Sequence, residues 1–155
     1  MAGKVIWITG ASSGIGESLA YRAALSGAKL VLSGTNDKAL HDVRIKCLSL
    51  MTDNKPSRVL PLVFDIKDLS SHPSQVARVI QHFGRIDILV NNAGRSQRAM
   101  FHEVDIRVDQ EMFQINVIGL INLSRLVLQH WYQSKVKGMV LEGLENKPDL
   151  KLASC

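Results

Sequence analysis

Four consecutive apolar residues, Val5-Ile6-Trp7-Ile8, run straight into Thr9-Gly10-Ala11-Ser12-Ser13-Gly14-Ile15-Gly16, and a helical apolar pattern follows as far as Gly27. Unbroken apolarity over a strand's length marks a strand covered on both faces, as in a parallel sheet. The turn carries glycines at i, i+4 and i+6. Gly10 lets the chain leave the strand sharply, Gly14 lets the backbone approach a pyrophosphate, and Gly16 lets the next helix pack closely. The helix start offers unpaired N–H groups and a partial positive charge to such an anion, with the hydroxyls of Ser12 and Ser13 as further donors. A buried strand, a glycine turn and a helix in that order leave few architectures open.

The rest of the chain repeats the alternation. Further strands are predicted at Leu30-Val31-Leu32, from Val59 to Phe64, from Ile86 to Val90 and at Met139-Val140-Leu141. Between them, Ile15, Leu19, Ala20, Ala23 and Ala24 share one helical face, and Leu40, Val43 and Cys47 mark a second helix. Val76, Val79, Ile80 and Phe83 mark a third, closed by Gly84, and a long, largely apolar helix is predicted from about Val108 to Ser134. Alternating strands and helices force right-handed crossovers and a parallel sheet. The expected fold is α/β, a doubly wound parallel sheet of about five strands with its ligand at the carboxyl ends. Residues 1–141 are predicted to form one dinucleotide-binding domain. Residues 142–155, polar and containing Pro148, are predicted to form an irregular tail.

Composition narrows the partners. The formal charge of +5 comes from basic residues spread along the chain with no run of four, so no nucleic-acid patch is predicted. Five scattered histidines and two cysteines, Cys47 and Cys155, form neither a metal-ligand spacing nor a disulfide framework, so no metal site is expected. The most apolar segment, Ile115 to Trp131, is interrupted by Asn116, Asn122 and Arg125, and no transmembrane segment is predicted in it.

The turn spacing is T-G-x-x-x-G-x-G, and Phe64-Asp65-Ile66, Asn91-Asn92-Ala93-Gly94 and Ile115-Asn116-Val117 follow it in order. With these four motifs the chain resembles the short-chain dehydrogenase/reductase family over roughly residues 4 to 141, and GRIDILVNNAG followed by Ser96-Gln97-Arg98 resembles one subgroup in particular. The resemblance implies a Rossmann-type sheet, incomplete here, and a nicotinamide dinucleotide as cofactor. Gly10, Ser12, Ser13, Gly14, Ile15 and Gly16 would then surround the phosphates. Asp65 would accept from the adenine amine beside Ile66, while Asn91, Ala93 and Gly94 would support the adenosine side and Asn92 would brace the central strand. Asn116 would hold the water and proton relay behind the family's catalytic lysine, the one member of the catalytic set this chain retains.

Cofactor choice rests on Ser33-Gly34-Thr35-Asn36. An acid at Gly34 would select NAD through the ribose hydroxyls, and a basic residue nearby would select NADP. Neither is present: Thr35 stands where relatives often carry arginine, and Lys38 lies close. NADP is expected, with NAD as the alternative. The resemblance also implies subunit contacts through the helix from about Val108, as a homo- or hetero-dimer, and links such chains with the endoplasmic reticulum without fixing a location for this one.

Hydride transfer in this family needs a serine and a Y-x-x-x-K pair. Here Tyr132-Gln133-Ser134-Lys135 has a spacing of three and precedes the fifth predicted strand, so it reads as an exposed helix end. Tyr21 has Leu25 four residues on. Beyond Met139-Val140-Leu141, Glu142-Gly143-Leu144 stands where the resemblance implies the serine. The expectation is the cofactor-binding portion of an NADP(H)-dependent short-chain oxidoreductase acting on a carbonyl/alcohol pair, truncated before its catalytic Ser, Tyr and Lys and inactive as it stands. The alternative is a non-catalytic dinucleotide-binding or interfering partner of a full-length relative.

Overall fold

A computed structural model describes residues 1–142 of the chain. Five parallel strands, β1 (Val5–Thr9), β2 (Lys29–Gly34), β3 (Val59–Val63), β4 (Ile88–Asn91) and β5 (Met139–Glu142), form one sheet in the order β3-β2-β1-β4-β5. β1 lies at its centre, in register with β2 from Val5↔Lys29 to Thr9↔Ser33 and with β4 from Ile6↔Ile88 to Ile8↔Val90. The strand order reverses there, so a crevice opens at the carboxyl ends where the connections to either side part.

Period-two alternation sorts the core into two layers. Ile6, Ile8, Leu30 and Leu32 face α1 (Gly14–Leu25) and α2 (Asp37–Leu50), meeting Ala20, Ala23, Leu40, Val43 and Cys47. Val5, Trp7, Val31 and Leu89 face the other way, toward α3 (His72–Phe83) and α5 (Leu120–Ser134), and meet Val79, Leu123, Val127 and Trp131. Both layers being filled, β1 is buried along its whole length. β3 is an outer strand, half-buried, with Pro61 in it, which an edge tolerates because one N–H there has no neighbour to serve.

Three features depart from the sequence reading. Ile15, placed on the core face of the first helix, is 73% exposed. The first turn of α1 extends past the end of β1, so its apolar side chain meets the crevice instead of the sheet. The long helix begins at Ile106, as α4 (Ile106–Phe113), and passes through a π-helical stretch, Gln114–Gly119, before α5. An inserted π turn re-aims the side chains it carries, and here it lets Gly119 press against the Ile66 carbonyl, where a Cβ would sit 2.4 Å from the oxygen. β5, finally, runs one residue further than expected, to Glu142. The predicted tail from 143 onward lies outside the described residues.

The helical run Ile106–Ser134 is long and apolar enough, by length and composition, to cross a membrane, with a mean hydropathy of 1.2 over its most apolar window. One stripe of it, Leu123, Val127 and Trp131, packs on the sheet, while most of the apolar window is not buried among the described residues. Trp131 Nε1 donates to the Ile86 carbonyl at 2.7 Å. The same indole lies against Gly138 so closely that a Cβ there would overlap the ring.

Candidate functional site

The crevice is a cleft of about 530 Å³ over the carboxyl ends of the strands. Its floor is organised by Thr9, the last residue of β1. The Thr9 hydroxyl accepts from Asn92 N and Ala93 N, both at 2.9 Å, and donates to the Val90 carbonyl at 3.2 Å. One donor and two acceptor positions exhaust what a hydroxyl can do. Asn92 answers from the β4 side, its Nδ2 donating to Thr9 O at 3.0 Å and Gly10 O at 3.1 Å. The turn after β1 and the turn after β4 are therefore stitched to one another. Gly10 and Gly16 are what the stitching requires: a Cβ on Gly10 would lie 2.8 Å from Ala93 Cα, and one on Gly16 would lie 2.4 Å from Gly10 O and 2.5 Å from Asn92 Nδ2.

Gly14 differs from both. Its φ is +61°, a left-handed value that favours glycine, yet a Cβ there would meet nothing within 4 Å. The open space lies at the start of α1. Ser13, the residue before the helix, is extended and its side chain makes no capping bond, which leaves the first-turn N–H groups and both serine hydroxyls for an incoming anion. A cradle that a side chain would fill, facing unpaired donors, fits a dinucleotide's pyrophosphate.

On the other flank, Ala11 N donates to the Ser33 carbonyl at 3.0 Å, and Ser12 packs over Gly34. Thr35 lines the cleft beyond the end of β2. Asn36 caps α2, its Oδ1 accepting from Ala39 N at 3.0 Å, and Lys38 stands exposed in the first turn.

The third wall is formed by the tails of β3 and β4 with α4. Asp65 Oδ1 accepts from Lys67 N at 2.9 Å, a tight turn of its own making. The carbonyl of Ile66 accepts from Nε2 of the fully buried His72 at 3.0 Å, while Asn122 Nδ2 donates to Nδ1 of the same ring at 3.0 Å. Those two partners fix the ring as the neutral Nε2–H tautomer, and burial pushes its pKa below the usual histidine value. Lys67 Nζ reaches Glu111 Oε1 at 2.6 Å, and Arg95 Nη1 reaches Glu111 Oε2 at 3.1 Å. Hydrogen bonding to Lys67 first, and the charges of Lys67 and Arg95 after it, hold the Glu111 carboxyl below its ordinary range; the Glu111 hydrogen bond raises Lys67.

Of the residues expected at the site, Gly10, Ser12, Ser13, Ile15, Thr35, Asp65, Ile66, Ala93 and Gly94 line one cleft. Gly14 and Gly16 shape its turn. Asn91 and Asn116 do not line it. Asn91 is buried and its Nδ2 donates to Ser124 Oγ of α5 at 2.8 Å. Asn116 is exposed, not buried as an apolar helix suggests, and its amide is already paired: Oδ1 accepts from Arg95 N at 2.8 Å and Nδ2 donates to Arg95 O at 2.9 Å. Lys67, Arg95 and Glu111 escaped the sequence reading, and Thr9 entered it only as the first residue of the turn motif. The partners they meet across the cleft lie between 16 and 84 residues away, so no local spacing announces them.

Neither tyrosine reaches the cleft. Tyr132 is 89% exposed in the last turn of α5, at the sheet's amino side, and Lys135 is that helix's left-handed cap at φ +53°. The Tyr21 hydroxyl donates to Glu17 Oε1 at 2.6 Å, and burial first, then that carboxylate, pushes its pKa up to about 12. A proton-transfer tyrosine needs the opposite shift.

Comparison with known proteins agrees with this geometry. The short chain dehydrogenase family matches residues 4–142, the whole of the sheet and its helices. This chain belongs to the short-chain dehydrogenase family. Membership implies a nicotinamide dinucleotide as the family's cofactor and oxidoreduction as its chemistry. The chain is 44% identical over 131 residues to Dehydrogenase/reductase SDR family member 7 of Mus musculus, covering 84% of this chain and 38% of that protein. It thus spans less than half the length of that curated relative. Among solved structures, a short chain dehydrogenase from Bacillus anthracis superimposes with a TM-score of 0.82 at 27% identity, over 90% of this chain and 54% of that one. The C-domain, with NADP, of a bacterial malonyl-CoA reductase superimposes with a TM-score of 0.80 at 28% identity, over 90% of this chain and 22% of that one.

Proposed function

We propose that this chain is the cofactor-binding portion of an NADP(H)-dependent short-chain oxidoreductase of carbonyl/alcohol substrates, and that it holds the dinucleotide without turning it over. The observation that carries the reading is the space above Gly14. A left-handed glycine there faces the free start of α1, beside Ser12 and Ser13, at the point where the strand order reverses. The pyrophosphate would lie on those amides, with Gly10 and Gly16 shaping the turn beneath. Adenosine would lie between Asp65, Ile66, Ala93 and Gly94.

NADP is favoured over NAD by the end of β2. Gly34 and Thr35 present no carboxylate to repel a 2′-phosphate, and Lys38 stands one helical turn on to attract it. Inactivity follows from proton handling. No tyrosine in the 155 residues has a lysine four positions on, and neither tyrosine lies at the cleft. The amide of Asn116, to which the resemblance assigns the water and proton relay, is here paired with the backbone of Arg95.

Thermal melting with NADPH, NADH and neither tests the reading. Ligand at 100 times its dissociation constant stabilises the fold by about 2.7 kcal/mol. The wild type is expected to gain that with NADPH and less with NADH at equal concentration, whereas Gly14→Val is expected to gain nothing with either. Stabilisation of Gly14→Val equal to the wild type's would refute the cradle.

A second reading, as a non-catalytic partner of a longer relative, is favoured by one observation. Ile121, Leu128 and Tyr132 form an exposed apolar stripe on α5. Sedimentation of the wild type against Leu128→Glu checks it: pairing through this helix is expected to be lost in the variant.

A further inference from the structure

The wall formed by the tails of β3 and β4 is held together by one side chain. Glu111 places its two carboxylate oxygens on two different cations: Oε1 on Lys67 Nζ at 2.6 Å and Oε2 on Arg95 Nη1 at 3.1 Å. Lys67 belongs to the segment leaving β3, Arg95 to the segment leaving β4, and Glu111 to α4. Nothing else among the described residues joins all three by side-chain bonds. Asp65 completes the set, its Oδ2 3.6 Å from Lys67 Nζ.

All four charged residues line the same cleft. Two cations and two carboxylates cancel, so this end presents a neutral rim. That suits an uncharged, planar base and contrasts with the donor-rich, anion-seeking start of α1. Arg95 is also held at its backbone, since the Asn116 amide bonds both its N–H and its carbonyl. Its side chain and main chain are thus fixed by residues on either side of the junction between α4 and the π turn.

We infer that Glu111 is a positioning residue for the base-binding end of the cleft: by clasping Lys67 to Arg95 it fixes the separation of the β3 and β4 tails between which the adenine would lie. The inference rests on the dinucleotide reading above and adds to it the part that sets the width of the base pocket. Glu111 acts through its two partners, not on the nucleotide itself. The clasp is electrostatic and half-exposed, so salt weakens it.

The test compares NADPH dissociation constants for wild type and Glu111→Gln at about 0.05 M and about 1 M salt, where screening lengths fall from over 10 Å to about 3 Å. The amide keeps the side chain's shape and removes its charge, so folding is preserved; a melting curve checks this. NADPH has a salt dependence of its own, which cancels in the ratio of variant to wild type. That ratio is expected to be roughly three- to tenfold at low salt and to fall below about twofold at high salt, in line with two half-exposed ion pairs. Lys67→Gln with Arg95→Gln supplies the second measurement: in that background Glu111→Gln is expected to change nothing further. A ratio of one at low salt overturns the inference, and so does a ratio that salt leaves unchanged, which would mean lost packing instead of a lost clasp. A wild type that binds no NADPH at all fails the dinucleotide reading itself; a wild type that binds while Glu111→Gln binds equally sinks this inference alone.

Discussion

The two flanks of the central strand are finished to different degrees. On the β1–α1 side every feature closes on another: Thr9 spends its whole hydrogen-bonding capacity on β4 and its tail, Asn92 returns two bonds, and two glycines fill to contact. Among the described residues the α5–β5 side stays open: β5 is only half-buried, α5 exposes Ile121, Leu128 and Tyr132, and Asn91 Oδ1 is buried with no partner in that set. The difference teaches that holding a dinucleotide and reacting with it are separable demands on this fold. On the function proposed above, the first would be met by the glycine turn after β1 together with the tails of β3 and β4, and the second would need a proton carrier at the cleft, which neither Tyr21 nor Tyr132 lines.

The largest effect is expected where the finished flank is tightest. Gly16→Ala drives a methyl group into Gly10 O and Asn92 Nδ2, both less than 3 Å away, and neither the backbone carbonyl nor the doubly bonded amide can give way. A loss of about 2–4 kcal/mol is expected in chemical denaturation, with cofactor binding lost as well. Tolerance of this alanine would mean that the turn is not stitched as described.

Thr9→Val comes next. It keeps the shape, leaves Ala93 N unpaired beneath the cleft and leaves Asn92 N with only its 3.1 Å bond to the Val90 carbonyl, costing about 1–3 kcal/mol. Denaturation midpoints at unchanged m-value check it. An equal loss from Ser124→Ala, on the open flank, would erase the contrast.

A pH titration sharpens the comparison from the third wall. His72 is held neutral in the fold by burial, so its folded pKa lies below the unfolded value of about 6.5. Its contribution is whole above pH 6.5 and is lost as pH falls toward and through the folded pKa, because the unfolded chain then binds the proton first. Stability is therefore expected to decline below about pH 6.5 in the wild type and to hold steady to lower pH in His72→Gln, at some cost in overall stability. Parallel curves for the two proteins would remove His72 from the support of Ile66.

The smallest effect belongs to the open flank. Tyr132→Phe removes a hydroxyl that is bathed in solvent, and a change within about 0.5 kcal/mol is expected, with no change in any turnover. Lost turnover in this variant would place chemistry where the geometry has none.

How far the sequence could foresee this flank-by-flank contrast depends on range. Continuous apolar runs and helical periodicity carried the strand order's ingredients, because burial on both faces leaves its mark at neighbouring positions. Gly10, Gly14 and Gly16 were legible for the same reason: the turn they serve is local. Ile15 misled the reading because periodicity reports a helix face and not where the sheet beneath it ends. The π turn had no local signal beyond Gly119, whose need for close approach to Ile66 exists only once the helix is docked. The Lys67–Glu111–Arg95 clasp joins positions 44 and 16 residues apart, a distance at which spacing says nothing. Family resemblance supplied roles for Asp65 and Asn116, whereas the structure gives their present partners, Lys67 and Arg95.

The separation of binding from chemistry can be read in one cuvette. Titrating NADPH into the folded protein in a calorimeter, then adding a panel of ketones and aldehydes to the saturated complex and following nicotinamide absorbance, measures both demands on the same molecules. Saturable heat followed by constant absorbance is the expected result. Steady oxidation of NADPH on adding a carbonyl compound, or no heat from a protein whose melting curve is cooperative, would contradict it.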